Sequence, residues 1–205
     1  ELQSPYDLVC RLLLEKNIKE ILGSQSPRRK ELLASLDINF DVVIKSIDES
    51  IPSSVPPAQA AEYIALQKLD VFKDNVTEDT LVITADTVVV DDNGITLGKP
   101  ASPEEAVEVL QSLSGQTHTV YTGVALYYKG QSQSFTEETR VHFAELHTDE
   151  IYYYVQKYKP FDKAGAYGIQ EWIGRIAVKS IEGSYENVMG LPTVRLYQVL
   201  KELIK

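Results

Sequence analysis

Leu81-Val82-Ile83-Thr84-Ala85-Asp86-Thr87-Val88-Val89-Val90 is the clearest strand in the sequence, because β-branched residues dominate it. A continuous apolar run of this kind is typical of a strand that is buried on both faces. Asp86 is the exception within it. The turn Asp92-Asn93-Gly94 follows and predicts a hairpin that returns the chain to Gly98-Lys99-Pro100. We therefore predict a buried strand with one carboxylate inside it and a lysine near the same end of the sheet.

Further helices and strands are interspersed on both sides of this strand. A long antiparallel hairpin is predicted at residues 120–128 and 135–144, around the turn Lys129-Gly130. Strands are also predicted at 19–23 and 41–44. Helices are predicted at 5–16 with Ser4 as cap, from Ser26 through 36, at 58–72, from Ser102 to 113, from the cap Thr148 through 158, and from Pro192 onward. This pattern indicates an α/β protein with a mixed sheet and flanking helices.

Length and composition narrow the class of protein. The 205 residues, 43% of them hydrophobic, suit one domain, or one domain with two lobes around a cleft. The formal net charge of -10 argues against a nucleic-acid partner, which needs a broad cationic surface. Cys10 is the single cysteine, so an internal disulfide is impossible. No apolar run reaches the ~18 residues of a membrane span and no secretory signal pattern is visible, so we expect a cytoplasmic protein without a membrane partner.

An unusual charge pattern marks the helix that begins at Ser26 and Pro27. Arg28, Arg29 and Lys30 occupy its first turn, although a helix N-terminus carries about half a positive charge and disfavours cations. A phosphate group removes this conflict, because it accepts hydrogen bonds from free backbone N–H groups, from serine hydroxyls and from guanidinium groups. The alternative is a solvated charge run that Glu31 or another carboxylate compensates.

Asp86 needs a partner if its strand is buried, because a lone buried carboxylate costs several kcal/mol. A metal ion or a cationic neighbour would remove that cost, and Lys68 and Lys99 are candidate neighbours. Asp48-Glu49 follows another strand. The three histidines lack metal-ligand spacing, so a hard cation such as magnesium or manganese is expected. The alternative for Asp86 is a carboxylate that caps a loop or pairs with a lysine at the edge of the strand.

Seven short motifs occur in the same order and at similar separations as in a known protein family. The sequence resembles the Maf family of nucleoside triphosphate pyrophosphatases, also called septum formation inhibitors, from about Ile21 to Leu203. We therefore interpret residues 1–17 as a helical N-terminal extension and 18–205 as the catalytic fold of a single domain. The motifs are Ser24-Gln25-Ser26-Pro27-Arg28-Arg29, Ala85-Asp86-Thr87, Gly98-Lys99-Pro100, Ser114-Gly115-Gln116-Thr117-His118, Thr122-Gly123-Val124-Ala125, Asp162-Lys163-Ala164-Gly165-Ala166-Tyr167-Gly168-Ile169-Gln170, and Ile181-Glu182-Gly183-Ser184-Tyr185 through Asn187 to Gly190-Leu191-Pro192.

The resemblance implies an activity and a fold. The activity is hydrolysis of a nucleoside triphosphate between the α- and β-phosphates, with a divalent cation. The fold is an elongated mixed sheet whose two lobes flank a central cleft, similar to inosine triphosphate pyrophosphatases and often dimeric, so a homodimer is expected. By position, Asp86 would accept the proton of the attacking water and Glu49 would help with metal or water. The phosphates would be held by Ser24, Arg28, Arg29, Lys68 and Lys99.

Three positions distinguish branches of the family that this sequence resembles. Here they are Arg28, Thr87 and Gln170, as in the dTTP/UTP pyrophosphatases. A glutamine amide both donates and accepts hydrogen bonds, which suits the O4/N3 edge of uracil or thymine. One geometric difficulty remains. Asp86 and Thr87 point to opposite faces of a regular strand, so both can face the ligand only if the strand ends or bulges there.

Two other functions are compatible with the same residues. A nucleotide-responsive regulator of cell division would bind nucleotide without obligatory hydrolysis. It would not need a carboxylate that activates water, and Asp86 with Lys68 and Lys99 argues against it. A nucleotidyltransferase would use a similar basic loop but needs an acceptor pocket, for which the sequence shows no candidate. The sequence therefore favours a hydrolase.

Overall fold

The computed structural model describes residues 8–205 and contains one mixed sheet with helices on both faces. The predicted Ser4 cap and the start of the first predicted helix lie outside these residues. The strands are β1 Lys19–Leu22, β2 Asp41–Val42, β3 Thr80–Val90, β4 Thr96–Leu97, β5 Thr117–Tyr128, β6 Gln131–Phe143 and β7 Val178–Glu182. The helices are α1 Val9–Glu15, α2 Pro27–Ala34, α3 Pro57–Lys73, α4 Pro103–Leu113, α5 Thr148–Tyr158, α6 Trp172–Ala177, α7 Tyr185–Met189 and α8 Thr193–Leu203.

The strand β3 lies at the centre of the sheet, whose order is β2-β1-β3-β5-β6-β7. Strand β1 is parallel to β2 and β3, and the remaining pairs are antiparallel. On one side, β3 pairs with β5 without interruption over residues 82–90. On the other side, it pairs with β1 over residues 80–83 and with β4 over residues 89–90. Residues 84–88, which include Asp86, therefore have a strand partner on one side only.

The two faces of β3 are covered differently. On one face α3 packs along the strand, against Val82, Val88 and Val90. On the other face there are two separate cores. Leu81, Ile83 and Ala85 belong to the first, together with residues of α1, α2 and α8, whereas Val89 belongs to the second, together with residues of α4, α5 and α6. Thr87 lies between them, so the sheet carries two lobes with a cleft at this residue. The predicted mixed sheet with two lobes around a central cleft is confirmed.

Gly123 allows α3 to approach the sheet closely. It pairs with Asp86 across the β3–β5 ladder, and a Cβ atom added to it would lie 2.2 Å from the backbone nitrogen of Glu62 in α3. The Glu62 carboxylate accepts hydrogen bonds from the hydroxyls of Ser134 and Thr136 on β6. The helix is therefore fixed against two strands, and its later turns lie over Asp86.

Most predicted elements are found, with shifted ends. The first helix begins at Val9 within the described residues, and the helix after Ser26 ends at Ala34. The N-cap of α5 is His147, not Thr148 as predicted, and its backbone N–H donates to the carboxylate of Glu150. The prediction missed α6, β7 and α7. No helix within residues 8–205 is long and apolar enough to cross a lipid bilayer.

Unfolding of this protein is expected to become easier below pH 6.5 because of His118. Its imidazole Nε2 lies 2.7 Å from the Tyr167 hydroxyl, and burial lowers its pKa from 6.5 to about 4, with a smaller contribution from His142. Between these values the unfolded chain binds a proton that the folded chain does not. His118 therefore does not lower the free energy of unfolding above pH 6.5, and it lowers that free energy by about 3 kcal/mol as the pH drops to 4.

Urea unfolding at several pH values measures this contribution. In a His118→Gln variant, which keeps a hydrogen-bonding group near Tyr167, the loss of stability between pH 7 and pH 4 should be smaller by about that amount. Equal losses in both proteins would show that another group causes the pH dependence.

Candidate active site

One cavity of about 460 Å³ lies in the cleft where β3 lacks its second strand partner. This volume suits a small-molecule ligand. Each candidate site residue from the sequence lines it, although the chain separates them widely: Ser24, Arg28, Arg29, Glu49, Lys68, Asp86, Thr87, Lys99 and Gln170. The structure thus brings the whole set together in one place.

The start of α2 forms one wall of the cavity. The Ser26 hydroxyl caps the helix by accepting from the Arg29 N–H at 3.4 Å, and the Ser24 hydroxyl accepts from the Ser26 N–H at 3.2 Å. The Arg29 guanidinium donates to the Gly190 carbonyl at 2.8 Å and to the Thr87 hydroxyl at 2.9 Å. This side chain bridges α2, β3 and the end of α7. The cation that conflicted with the helix start in the sequence is therefore held by neutral acceptors.

Burial lowers the pKa of Arg29, and the negative charge of Asp86 partly opposes this effect. A guanidinium remains charged at neutral pH even when its pKa falls. The hydrogen-bond partners of this guanidinium within the described residues are neutral, and the carboxylates of Asp86 and Glu49 act on it through space. The cavity wall is therefore suited to a polyanionic ligand, although the whole chain carries a net charge of -10.

Asp86 has the cationic neighbour that its strand position requires. The Lys68 ammonium on α3 donates to Asp86 Oδ1 at 2.8 Å and lies 2.8 Å from Glu49 Oε1. Burial raises the pKa of Glu49, but the hydrogen bond and charge of Lys68 outweigh it, and the pKa is lowered overall. Lys99 and Arg29 contribute in the same direction. Glu49 is thus held as a carboxylate beside Asp86 by a shared lysine.

Asp86 and Thr87 both line the cavity, yet β3 neither ends nor bulges at this point. The condition stated from the sequence, that the strand must end or bulge here for both residues to face the ligand, does not hold. Asp86 points toward Lys68 on the α3 face, and Thr87 points to the opposite face, where its hydroxyl contacts Thr122 and Arg29. Because β1 ends before these residues and β4 begins after them, the cavity can reach both faces around the open edge of β3.

The long motif from residue 162 to 170 forms another wall. The Arg28 guanidinium donates to Asp162 Oδ2 at 3.1 Å, and the Lys163 ammonium donates to Asp162 Oδ1 at 2.8 Å. Gln170 lies further along the same loop, and its amide oxygen Oε1 is buried without a hydrogen-bond partner in the described part of the chain. A buried acceptor of this kind costs about 1–3 kcal/mol, which a donating ligand would recover.

Sequence reasoning assigned no role to Asp162, Lys163 or Glu171. All three meet beside Gln170, where Lys163 also lies 3.3 Å from Glu171 Oε1. The motif containing Asp162 and Lys163 was a visible signal. The contact of Asp162 with Arg28 was not, because 134 residues separate them in the chain.

Glu49 and Asp86 are the two carboxylates of the cavity that share Lys68, and they are the candidate protein ligands for a divalent cation. No cluster of three or more histidine, cysteine or carboxylate groups with metal-binding geometry occurs within residues 8–205. Two carboxylates nevertheless suit magnesium or manganese, because these cations are held by one or two carboxylates together with phosphate oxygens of the substrate. The residues therefore fit a cation that arrives with a polyphosphate.

Fold and cavity together define a two-lobed α/β protein whose cavity is lined by several cationic side chains and by a carboxylate that is bound to a lysine. Comparison of the sequence with known protein families identifies the family of this chain. The model described as "Maf-like protein" matches residues 19–203, so the chain belongs to the Maf-like family.

The chain is 51% identical to the dTTP/UTP pyrophosphatase of Parabacteroides distasonis over 91% of its own length and 96% of the relative. It is 48% identical to the dTTP/UTP pyrophosphatase of Porphyromonas gingivalis, over 91% and 95%. Among solved structures, the Ham1 protein of Staphylococcus aureus has a similar fold, with a TM-score of 0.51 and 17% identity over 91% of this chain and all of that one.

Proposed function

We propose that this protein hydrolyses dTTP and UTP to the monophosphate and pyrophosphate. The observation that carries the proposal is Asp86, a carboxylate at an open sheet edge, inside a cavity otherwise rich in cationic groups. Relatives with about half of their residues identical are named dTTP/UTP pyrophosphatases. Positioning and charge neutralisation supply most of the rate of phosphoryl transfer, and this cavity contains the groups for both.

The proposed step uses Asp86 as the proton acceptor. A water oxygen forms a bond to the α-phosphorus while the bond from that phosphorus to the bridging oxygen breaks. Pyrophosphate leaves with the electron pair, and Asp86 takes the proton of the water. Lys68 orients Asp86 through its 2.8 Å contact. The side chains proposed to bind the phosphates are Ser24, Arg28, Arg29, Lys68 and Lys99.

A divalent cation, magnesium or manganese, is part of the proposal, with Glu49 and Asp86 as its protein ligands. When bound, it neutralises charge that develops on the phosphate oxygens. Glu49 Oε1 and Asp86 Oδ1 each lie 2.8 Å from the Lys68 ammonium. These two carboxylate oxygens are therefore already arranged around one positive charge. Measurement of pyrophosphate release with each metal and after chelation tests this part.

Arg28, Thr87 and Gln170 are the residues proposed to select the base. The unpaired Oε1 of Gln170 supports this role, because uracil and thymine carry an N3–H donor and cytosine does not. Family resemblance also supports a cytoplasmic homodimer. Light scattering of the purified protein would test its oligomeric state, and a molar mass near 23.0 kDa, that of one chain, would contradict the dimer.

A panel of nucleoside triphosphates tests the substrate assignment. The wild-type protein should release pyrophosphate from dTTP and UTP at least about 10-fold more efficiently than from CTP, ATP or GTP. Gln170→Glu and Arg28→Trp should each reduce that preference, because the first replaces a neutral amide by a charged carboxylate and the second removes the partner of Asp162. Unchanged selectivity in both variants would contradict the assignment of these positions.

A further inference from the structure

The charged groups of the cavity form two sets. The first set contains Glu49, Asp86 and three cations, Lys68, Lys99 and Arg29. The charges of these cations lower the pKa of Glu49, and Lys68 also contacts Asp86. The second set contains Arg28, Asp162 and Lys163, which line the cavity, and Glu171, which lies outside the lining and forms an ion pair with Lys163. Arg28 and Arg29, adjacent on α2, connect the two sets. The first set has the chemistry of a phosphate site, and no part of the proposed hydrolysis yet uses Lys163 or Glu171.

Lys163 is an unusual residue for a cavity wall. Only 8% of it is exposed, and its ammonium contacts Asp162 at 2.8 Å and Glu171 at 3.3 Å. Within residues 8–205 its ammonium donates one hydrogen bond, to Asp162, and forms an ion pair with Glu171, so N–H donors remain for a ligand. Burying such an ion network does not by itself favour folding, since removing charges from water costs several kcal/mol per ion. A role in binding a ligand in the cavity accounts for the position of Lys163.

Neighbouring residues hold the carboxylate partners of Lys163 in place. The hydroxyl of the buried Tyr154 on α5 donates to Glu171 Oε2 and accepts from the Gly168 N–H at 3.1 Å. Hydrogen bonds from Lys163 and Arg28 lower the pKa of Asp162, although burial alone would raise it. Both carboxylates that hold the ammonium are therefore themselves fixed. An ammonium held in this way is oriented before a ligand arrives.

Lys163 and Gln170 lie next to each other around Gly168. A Cβ atom added to Gly168 would lie 3.0 Å from Lys163 Cε and 3.1 Å from Gln170 Nε2. Lys163 brings an ammonium donor to this place, and Gln170 brings an amide whose Nε2 lies beside Gly168 and whose Oε1 lacks a partner among the described residues. A neighbouring donor and acceptor match the O4 and N3–H of uracil or thymine, which present an acceptor beside a donor.

We propose that Lys163 contacts the substrate and donates a hydrogen bond to the O4 carbonyl of the pyrimidine base, beside Gln170. This inference rests on the proposed hydrolysis of dTTP and UTP and adds a residue to its specificity. Cytosine carries an amino group in place of O4 and would place a donor against the ammonium. Lys163 thereby rejects CTP, with Asp162 and Glu171 as its positioning residues.

Thio-substituted substrates test the contact in the wild-type protein, without any variant. Sulfur is a poor hydrogen-bond acceptor, so 4-thio-UTP should have a kcat/KM about 10–100-fold below that of UTP, mainly through KM, whereas 2-thio-UTP should resemble UTP. Equal kcat/KM values for UTP and 4-thio-UTP would overturn the proposal, as would a loss confined to 2-thio-UTP. If UTP itself releases no pyrophosphate, the proposed function fails instead.

Lys163→Met should lose this discrimination. Its kcat/KM should fall about 10–100-fold for UTP, and its UTP and 4-thio-UTP values should differ by less than about 3-fold. Lys163→Arg keeps a donor and should restore part of the preference. Lys179→Met is the matched control, because Lys179 is exposed on β7 and outside the cavity lining. A Lys163→Met protein that still distinguishes UTP from 4-thio-UTP and from CTP as the wild type does would overturn the proposal.

Discussion

Asp86→Asn should lower kcat for UTP hydrolysis by about 10³-fold and change nucleotide affinity little, because a positioned general base contributes about 10²–10⁴-fold. The amide cannot accept the proton of the attacking water. It can still accept the hydrogen bond that Asp86 receives from Lys68 at 2.8 Å, so the cavity should keep its shape. Pyrophosphate release measures the turnover, and calorimetry with a non-hydrolysable α,β-methylene analogue measures the affinity.

Asp92→Asn is the control. Asp92 is exposed in the turn after β3, so this substitution removes the same charge at a position outside the cavity. Wild-type turnover in Asp86→Asn would show that another group activates the water. A wild-type protein that binds nucleotide tightly but does not hydrolyse it with any metal would instead be a regulator. This comparison separates a hydrolase from a nucleotide-binding regulator.

Gly123→Ala is expected to destabilise the protein by about 3 kcal/mol or more and to abolish activity. The added Cβ would lie 2.2 Å from the backbone nitrogen and 2.3 Å from the Cα of Glu62, which are helix backbone atoms and cannot rotate away. Helix α3 must move off the sheet, and such overpacking costs about 1–3 kcal/mol or more. Lys68 lies on the same helix and would lose its contact with Asp86.

Urea unfolding measures the change in stability, and the pyrophosphate assay measures the loss of activity. Gly98→Ala is a suitable control for stability, because nothing lies within 4 Å of the Cβ that would be added there. If Gly123→Ala unfolded at the wild-type urea concentration, the close approach of α3 to β5 would be incorrect.

Local signals predicted the long elements well. The strand β3 and the hairpin of β5 and β6 are dense in β-branched and aromatic residues, and α2 has both a serine cap and a proline at its first position. The elements α6, β7 and α7 contain only five or six residues each. Such short segments have little propensity of their own and form because the surrounding structure fixes them. Gly174 shows this, since its added Cβ would lie 1.8 Å from the Ile169 carbonyl oxygen.

The sequence also predicted which residues would line the cleft, largely through its resemblance to a family. It named Lys68 as a candidate neighbour of Asp86, which the structure shows, but it did not predict the other contacts among these residues. Arg28 was expected to bind phosphate or read the base, and the structure adds an ion pair with Asp162. Arg29 was expected to face phosphate, and its described partners are Ser24, Thr87 and the Gly190 carbonyl.

The sequence by itself determined the local features of this protein: a buried strand that contains a carboxylate, and a capped helix whose first turn has cations where anions are favoured. Both features follow from side-chain type and spacing within a few residues. Only the tertiary structure decided that Lys68 contacts both Glu49 and Asp86, and that Asp86 and Thr87 reach one cavity from opposite faces. Those facts depend on where β1 ends, where β4 begins and how closely α3 lies on Gly123, which are long-range packing distances that no local pattern encodes.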